Sequence, residues 1–249
     1  MIKPIIAANW KMNMTTGESA AFAERLAGEF ARLEDRDVII APPFTSLYPV
    51  AGILRNSGIH LAAQNLHWEK EGAFTGEISA IMLCDIGCRY VLVGHSERRT
   101  LFGERDEDVN KKAKTALAAG LKPIVCIGET LDQRESGRTF DILASQIKEG
   151  LNNLLPGDIE DVTIAYEPVW AIGTGKTATA EQAQEAHRFI RGELSRIFGE
   201  GKAGETAILY GGSVKPENIA CLMDQTDING ALVGGASLDF ESFAKIIKY

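Results

Sequence analysis

Eight short apolar runs punctuate the chain: Ile5 to Ala8, Val38 to Ala41, His60 to Ala63, Tyr90 to Gly94, Pro123 to Ile127, Thr163 to Tyr166, Ala207 to Tyr210 and Gly230 to Val233. Each is apolar nearly throughout instead of alternating, which is how a strand reads when both of its faces are covered, as in a parallel sheet. Between the runs lie stretches with helical period, such as Phe22, Leu26, Phe30 and Leu33, or Phe140, Leu143, Ile147, Leu151 and Leu154, or Ile190, Leu194 and Ile197. Strand and helix are therefore expected to alternate without exception. Thr179 followed by Gln182 reads as a capping box opening the helix after the sixth strand, and Gly58 and Gly120 stand where helices should stop. Eight βα units in one series, with no linker or shift of composition, predict an α/β fold: a closed eight-stranded parallel (βα)8 barrel, a single domain over residues 1–249.

Composition agrees with this pattern and narrows the partners. At 45% hydrophobic and 24% charged residues, the 249-residue chain can bury an ordinary core. The start, MIKPIIAANWK, is too short and too interrupted an apolar stretch for a signal peptide or a membrane span, so a cytoplasmic protein is expected. Cys84, Cys88, Cys126 and Cys221 show no Cys-x-x-Cys spacing, and reduced, mostly buried thiols are expected in place of a metal site. The net charge of −8, with no basic run, argues against a nucleic acid or an anionic membrane as partner. Attraction for an anionic ligand would have to be local.

In a barrel of this kind the chemistry sits on the loops leaving the C-terminal ends of the strands. Two glycine-rich stretches, Tyr210 to Val214 and Val233 to Ser237, follow the seventh and eighth runs, where bare backbone N–H groups can approach a phosphate because no Cβ intervenes. Either alone could be a tight turn, but their joint placement favours phosphate. Lys11, just past the first run, supplies a positive charge, and Asn9 beside it can hydrogen-bond a substrate oxygen. His95 ends the fourth run in an exposed strand-end position and opens SERR, the first turn of a helix. A helix N-terminus disfavours an imidazolium, so His95 should be a neutral donor. Glu167 ends the sixth run directly before Pro168, which restrains the backbone where a general base needs fixed aim. The following VWAIGTGKTA, small and glycine-bearing, reads as a lid from Pro168 to Ala178. Two motif matches fail: GTGKT has Trp170 where a phosphate-binding P-loop requires glycine, and GEGKAG (Gly199 to Gly204) follows a helix where a dinucleotide fingerprint follows a strand, so it is assigned to an ordinary loop.

Taken together, NWKMN (Asn9 to Asn13), VGHSERR (Val93 to Arg99), AYEPVWAIGTG (Ala165 to Gly175), YGGSV and GGAS resemble the motif set of the triose-phosphate isomerase family, spread over the full length. The resemblance implies interconversion of glyceraldehyde 3-phosphate and dihydroxyacetone phosphate in glycolysis and gluconeogenesis, through an enediol or enediolate. It implies Glu167 as base, His95 as electrophile, Lys11 and Asn9 on the substrate oxygens, and Gly173, Ser213, Gly234 and Gly235 on the phosphate. It also implies no metal or organic cofactor, and a homodimer docked through the loop Asn65 to Ser79, whose Phe74 would be poorly explained on a free surface. Another sugar-phosphate isomerase or epimerase, or a catalytically silent barrel, are the alternatives. A Schiff-base aldolase would want a lysine where the sixth run offers Glu167, and a glycosidase would want a second facing carboxylate where the seventh ends in glycines and serine.

Overall fold

The computed structural model describes residues 2–172 and 177–249. In chain order it begins with β1 (Ile5–Asn9), α1 (Thr16–Phe30), β2 (Asp37–Ala41), α2 (Phe44–Leu54), β3 (Ile59–Ala63) and α3 (Ala80–Ile86). Then come β4 (Tyr90–Val93), α4 (Ser96–Phe102), α5 (Asp106–Ala118), β5 (Lys122–Ile127), α6 (Leu131–Glu135), α7 (Thr139–Gly150) and β6 (Thr163–Tyr166). The chain finishes with α8 (Ala180–Phe198), α9 (Glu200–Glu205), β7 (Ile208–Tyr210), α10 (Ile219–Met223), β8 (Gly230–Val233) and α11 (Phe240–Ile247). All eight strands pair in parallel, each with its sequence neighbour, and β8 closes on β1 with Ile5 opposite Gly230 and Ala8 opposite Val233. This is the closed barrel that the apolar runs predict.

The two faces of each strand explain why those runs hardly alternate. Ile5, Ala7, Ile39, Ala41, Leu92 and Leu209 belong to one apolar cluster, the barrel's filling. The intervening Ile6, Ala8, Val38 and Ile40 belong to a second, larger cluster shared with the helices, including Leu26, Leu47, Val109 and Ile190. Both faces are dry, so both are apolar. Closure also demands glycine at one point: a Cβ on Gly230 would stand 1.9 Å from the Ile5 carbonyl oxygen.

Several local expectations need correction. Strand and helix do not alternate one for one, because paired helices α4–α5, α6–α7 and α8–α9 each join two strands. GEGKAG is no loop: Glu200 to Glu205 form α9, since α8 ends at Phe198, Gly199 breaks it with a φ of 89°, and a further turn begins at once. Gly120 does follow a helix end with φ of 82°, but Gly58 does not cap α2, which ends at Leu54. Leu33, Leu151 and Leu154 lie beyond their helices, and Ile197 is exposed while Phe198 turns inward. Two of the four thiols, Cys84 and Cys221, are exposed; only Cys88 and Cys126 are buried. The capping box at Thr179 and Gln182 stands as expected at the start of α8.

Candidate active site

The end of β1 is clamped from behind. Trp10 is fully buried and meets Phe22 of α1 edge-on at 5.1 Å, and Phe22 meets Phe240 of α11 at 5.6 Å. Each such pair adds ~0.5–1.5 kcal/mol beyond its burial. The residues on either side of Trp10 are thereby aimed. Asn9 accepts the Lys11 N–H at 2.9 Å, and Lys11 adopts a left-handed backbone with φ of 52°. Gln64, at the end of β3, donates to the Lys11 and Ala41 carbonyls at 2.8 Å each, which holds that conformation. The Lys11 ammonium then lies 2.7 Å from the Glu97 carboxylate.

At the end of β4, Gly94 turns with φ of 71° and donates its N–H to buried Glu104 at 3.0 Å. Burial pushes the Glu104 carboxyl up, but Lys112 at 2.9 Å and Arg98 at 2.6 Å outweigh it and hold it below its ordinary value. His95 follows as the N-cap of α4. Its Nδ1 accepts the Glu97 N–H at 3.2 Å and its Nε2 lies 2.9 Å from Glu167 Oε1. The sequence suggested an exposed histidine, but it is 6% exposed, because the capping turn folds it under the barrel mouth. Burial pushes this imidazole down, the Glu167 and Glu97 carboxylates pull it up, and their pull exceeds the effect of burial. The backbone N–H aimed at Nδ1 is met by a lone pair there, the tautomer that carries its proton on Nε2, towards Glu167.

Glu167 is 2% exposed at the end of β6. Its backbone N–H donates to the Ile127 carbonyl at 2.7 Å, an approach that requires Gly128, where a Cβ would stand 1.7 Å from the Glu167 carbonyl oxygen. Its carboxylate accepts the Ser96 N–H at 2.9 Å and the Ser96 hydroxyl at 3.3 Å. Burial alone would raise this acid, but His95 and the Ser96 N–H outweigh it and hold Glu167 below its ordinary value, as the carboxylate a base must be. The segment after it starts from Pro168 and a single turn of 3-10 helix, Val169–Ala171. Fully buried Glu129 anchors that turn, accepting Trp170 Nε1–H at 2.9 Å, the Tyr166 hydroxyl at 3.1 Å and Arg134 at 3.1 Å.

Asn9, Lys11, His95 and Glu167 line one cavity of about 410 Å³ together with Ser213, Gly234 and Gly235 from the turns after β7 and β8. Gly234 faces Lys11 so closely that a Cβ there would lie 3.5 Å from its Cε. Every site residue expected from the sequence meets here except Gly173, which lies outside the described residues. Ser96, which holds the Glu167 carboxylate, and Lys215, which adds a second cation to the cavity, went unpredicted. Lys215 directly follows YGGSV, a signal that could have found it; Ser96 reaches Glu167 only through the fold. Among the described residues no group of three His, Cys, Asp or Glu side chains could hold a metal ion. Glycine-rich turns, the Lys11 ammonium, an imidazole and a buried carboxylate around one cavity are groups suited to an anionic substrate and to moving a proton between its carbons.

Comparison with known proteins accords with that chemistry. The family model described as triosephosphate isomerase matches residues 4–249. The triosephosphate isomerase of Syntrophotalea carbinolica is 53% identical over 249 residues, covering 100% of this chain and 99% of that protein. That of Thermoanaerobacter pseudethanolicus is 52% identical and covers 100% of both. Among solved structures, triosephosphate isomerase from Bartonella henselae superposes with a TM-score of 0.90 at 40% identity, over 99% of this chain and 98% of that one.

Proposed function

The chain belongs to the triosephosphate isomerase family, and we propose that Glu167, His95, Lys11 and Asn9 carry the family's interconversion of glyceraldehyde 3-phosphate and dihydroxyacetone phosphate in it. The observation that carries these roles is the hydrogen bond of 2.9 Å between His95 Nε2 and Glu167 Oε1 at the floor of a cavity that also holds Lys11. The phosphate lies on the N–H groups of Gly234 and Gly235, beside Ser213, with Gly173 closing on it from the lid. Substrate oxygens replace Glu167 as acceptors of the His95 Nε2–H, which frees the carboxylate to face the C–H bond. Glu167 takes the proton, and the enediolate charge forms beside the His95 N–H, the Lys11 ammonium and Asn9. The same carboxylate returns the proton to the neighbouring carbon. In the same interval the hydroxyl proton of the enediolate passes from one oxygen to the other, so that aldose and ketose, which are isomers, interconvert with no external reductant or oxidant.

His95→Asn tests the electrophile role apart from phosphate binding. A lost donor at a developing oxyanion typically costs ~10²–10³-fold in kcat, and the coupled isomerase assay should report a loss of that order. Inhibition by inorganic phosphate should be unchanged. A kcat within threefold of wild type, or an imidazolium at pH 7 in an NMR titration of His95, would refute the assignment.

We further propose a cytoplasmic homodimer. Among the described residues no helix is long and apolar enough to cross a membrane. Within the loop 65–79, His67 packs against Trp68 at 4.3 Å and Phe74 at 4.5 Å, a local scaffold that leaves Phe74 43% exposed. Met12, Tyr48, Leu101 and Phe102 are exposed as well, and come from the segments after β1, β2 and β4 on the same side of the barrel. A second copy covers this apolar quarter. Thr75→Glu would bury a charge without a partner there, so sedimentation should show monomers; dimers of unchanged affinity would exclude this loop as the contact.

A further inference from the structure

The cavity at the barrel mouth holds a cation to which the roles above give no task. Lys215, in the turn after β7, lines it together with Lys11, and among the described residues these are its only lysine or arginine side chains. We propose that Lys215 is a steering residue for the substrate: its ammonium draws a phosphate monoester dianion to the turns after β7 and β8 and tightens its hold there. The inference rests on the reading that those turns carry the phosphate.

Lys11 does not supply this attraction by itself. Its ammonium lies 2.7 Å from the Glu97 carboxylate, so at a distance the two charges nearly cancel. Buried Glu167 then adds a negative charge to the same cavity. With His95 neutral, as its role as electrophile requires, a dianion approaching without Lys215 would meet a negative site on a protein whose net charge is −8. Lys215 offsets the Glu167 charge, and nothing else competes for it: among the described residues its ammonium has no hydrogen-bond or ion-pair partner. A cleft focuses such a charge toward an incoming anion.

The backbone fixes where this lysine is rooted. The Asn218 side chain accepts the Lys215 N–H at 2.8 Å and donates to the Ser213 carbonyl at 3.0 Å, bridging the turn on both sides of buried Val214. The Lys215 carbonyl in turn accepts the N–H groups of Asn218 at 3.2 Å and Ile219 at 3.1 Å, and Pro216 restricts the next φ. One clamp therefore sets both Ser213, expected on the phosphate, and the lysine two positions on. The Lys215 side chain itself is exposed at the rim of the cavity, so its pull is open to screening by salt. The screening length falls from about 30 Å at about 0.01 M ionic strength to about 10 Å at about 0.1 M. A charge that steers must show this dependence; a lysine that merely supports the turn would not.

Inorganic phosphate titrated into the ¹⁵N-labelled protein and followed at the Gly234 and Gly235 amides tests the binding without turnover. At about 0.01 M ionic strength Lys215→Met should bind phosphate about tenfold more weakly than wild type, and the difference should narrow to about threefold or less at about 0.3 M. In the coupled assay kcat/KM for glyceraldehyde 3-phosphate should fall by the same factor at low salt, with the loss in KM. The ratio of kcat/KM for glyceraldehyde 3-phosphate to that for unphosphorylated glyceraldehyde should fall with it, because only the first carries the dianion. Lys215→Arg, which keeps the charge, should stay within about twofold of wild type in every measurement. A Met variant within twofold of wild type at low salt, a loss that salt leaves unchanged, or an Arg variant as impaired as the Met variant would each overturn the role. The proposed function fails in a different way, if the wild type binds phosphate through Lys215 but does not isomerise the triose phosphate.

Discussion

Glu167→Asp is expected to isomerise ~10²-fold more slowly than the wild type, with a far smaller change in KM. The substitution keeps the carboxylate and its burial but withdraws it by about one ångström, and a misplacement of that size costs ~10²-fold because the reacting atoms must meet within a narrow range. The surroundings cannot follow it. The Glu167 backbone is pinned to Ile127 by a bond of 2.7 Å, and Gly128 packs directly against its carbonyl. On the proposed reading the substrate is held independently, by the turns after β7 and β8. Loss in kcat with binding retained is the signature of an interaction made only on the way to the transition state. Steady-state kinetics in both directions check it. An activity within twofold of wild type would remove Glu167 as the base and turn attention to Glu97, the other carboxylate close to His95.

Removing Ile172 to Gly175 and rejoining the ends should have a larger effect and change the products. The enediolate carries a phosphate on the neighbouring carbon. When that C–O bond aligns with the π system, its electrons leave with the oxygen, giving inorganic phosphate and, after tautomerisation, methylglyoxal. On the proposed reading, a lid from Pro168 to Ala178 closing over the phosphate would hold the bond out of alignment and keep water away. Without it isomerisation should fall by several orders of magnitude while Glu167, rooted in β6, still abstracts some protons. Much of the remaining turnover should then leak into elimination. Phosphate release per isomerisation event is measured directly. A variant that isomerises slowly yet releases no more phosphate per turnover than wild type would restrict the segment to binding.

Most of the architecture could be read before the fold was known, because each strand carries its own signal. Thr163 to Tyr166 and Gly230 to Val233 are apolar on both faces, and their ends coincide with the observed strands. The other six strands each differ from their apolar runs by one residue at one end, in three of them because polar Asn9, Asp37 and Lys122 still pair in the sheet through their backbones. The helices were harder. Where two short helices join a pair of strands, as α4 and α5 do, the turn between them is set by contacts such as Glu104 with Gly94 and Lys112, which no local period reports.

What the sequence determined by itself is the fold and which residues gather at its mouth: the backbone's demand for dry strands fixes the barrel, and Asn9, Lys11, His95 and Glu167, which line one cavity, each stand just past an apolar run. What only the tertiary structure decided is how those groups constrain one another. Ser96 grips Glu167 across 71 positions of chain, Glu97 pairs with Lys11 across 86, and His95 is buried against Glu167 where its sequence position suggested exposure. The physical reason is closure. Bending eight strands into a ring brings their C-terminal ends to one mouth, so residues far apart in sequence come within hydrogen-bond reach. Distances of about 3 Å, unlike apolar periodicity, are properties of the whole ring and of no segment within it.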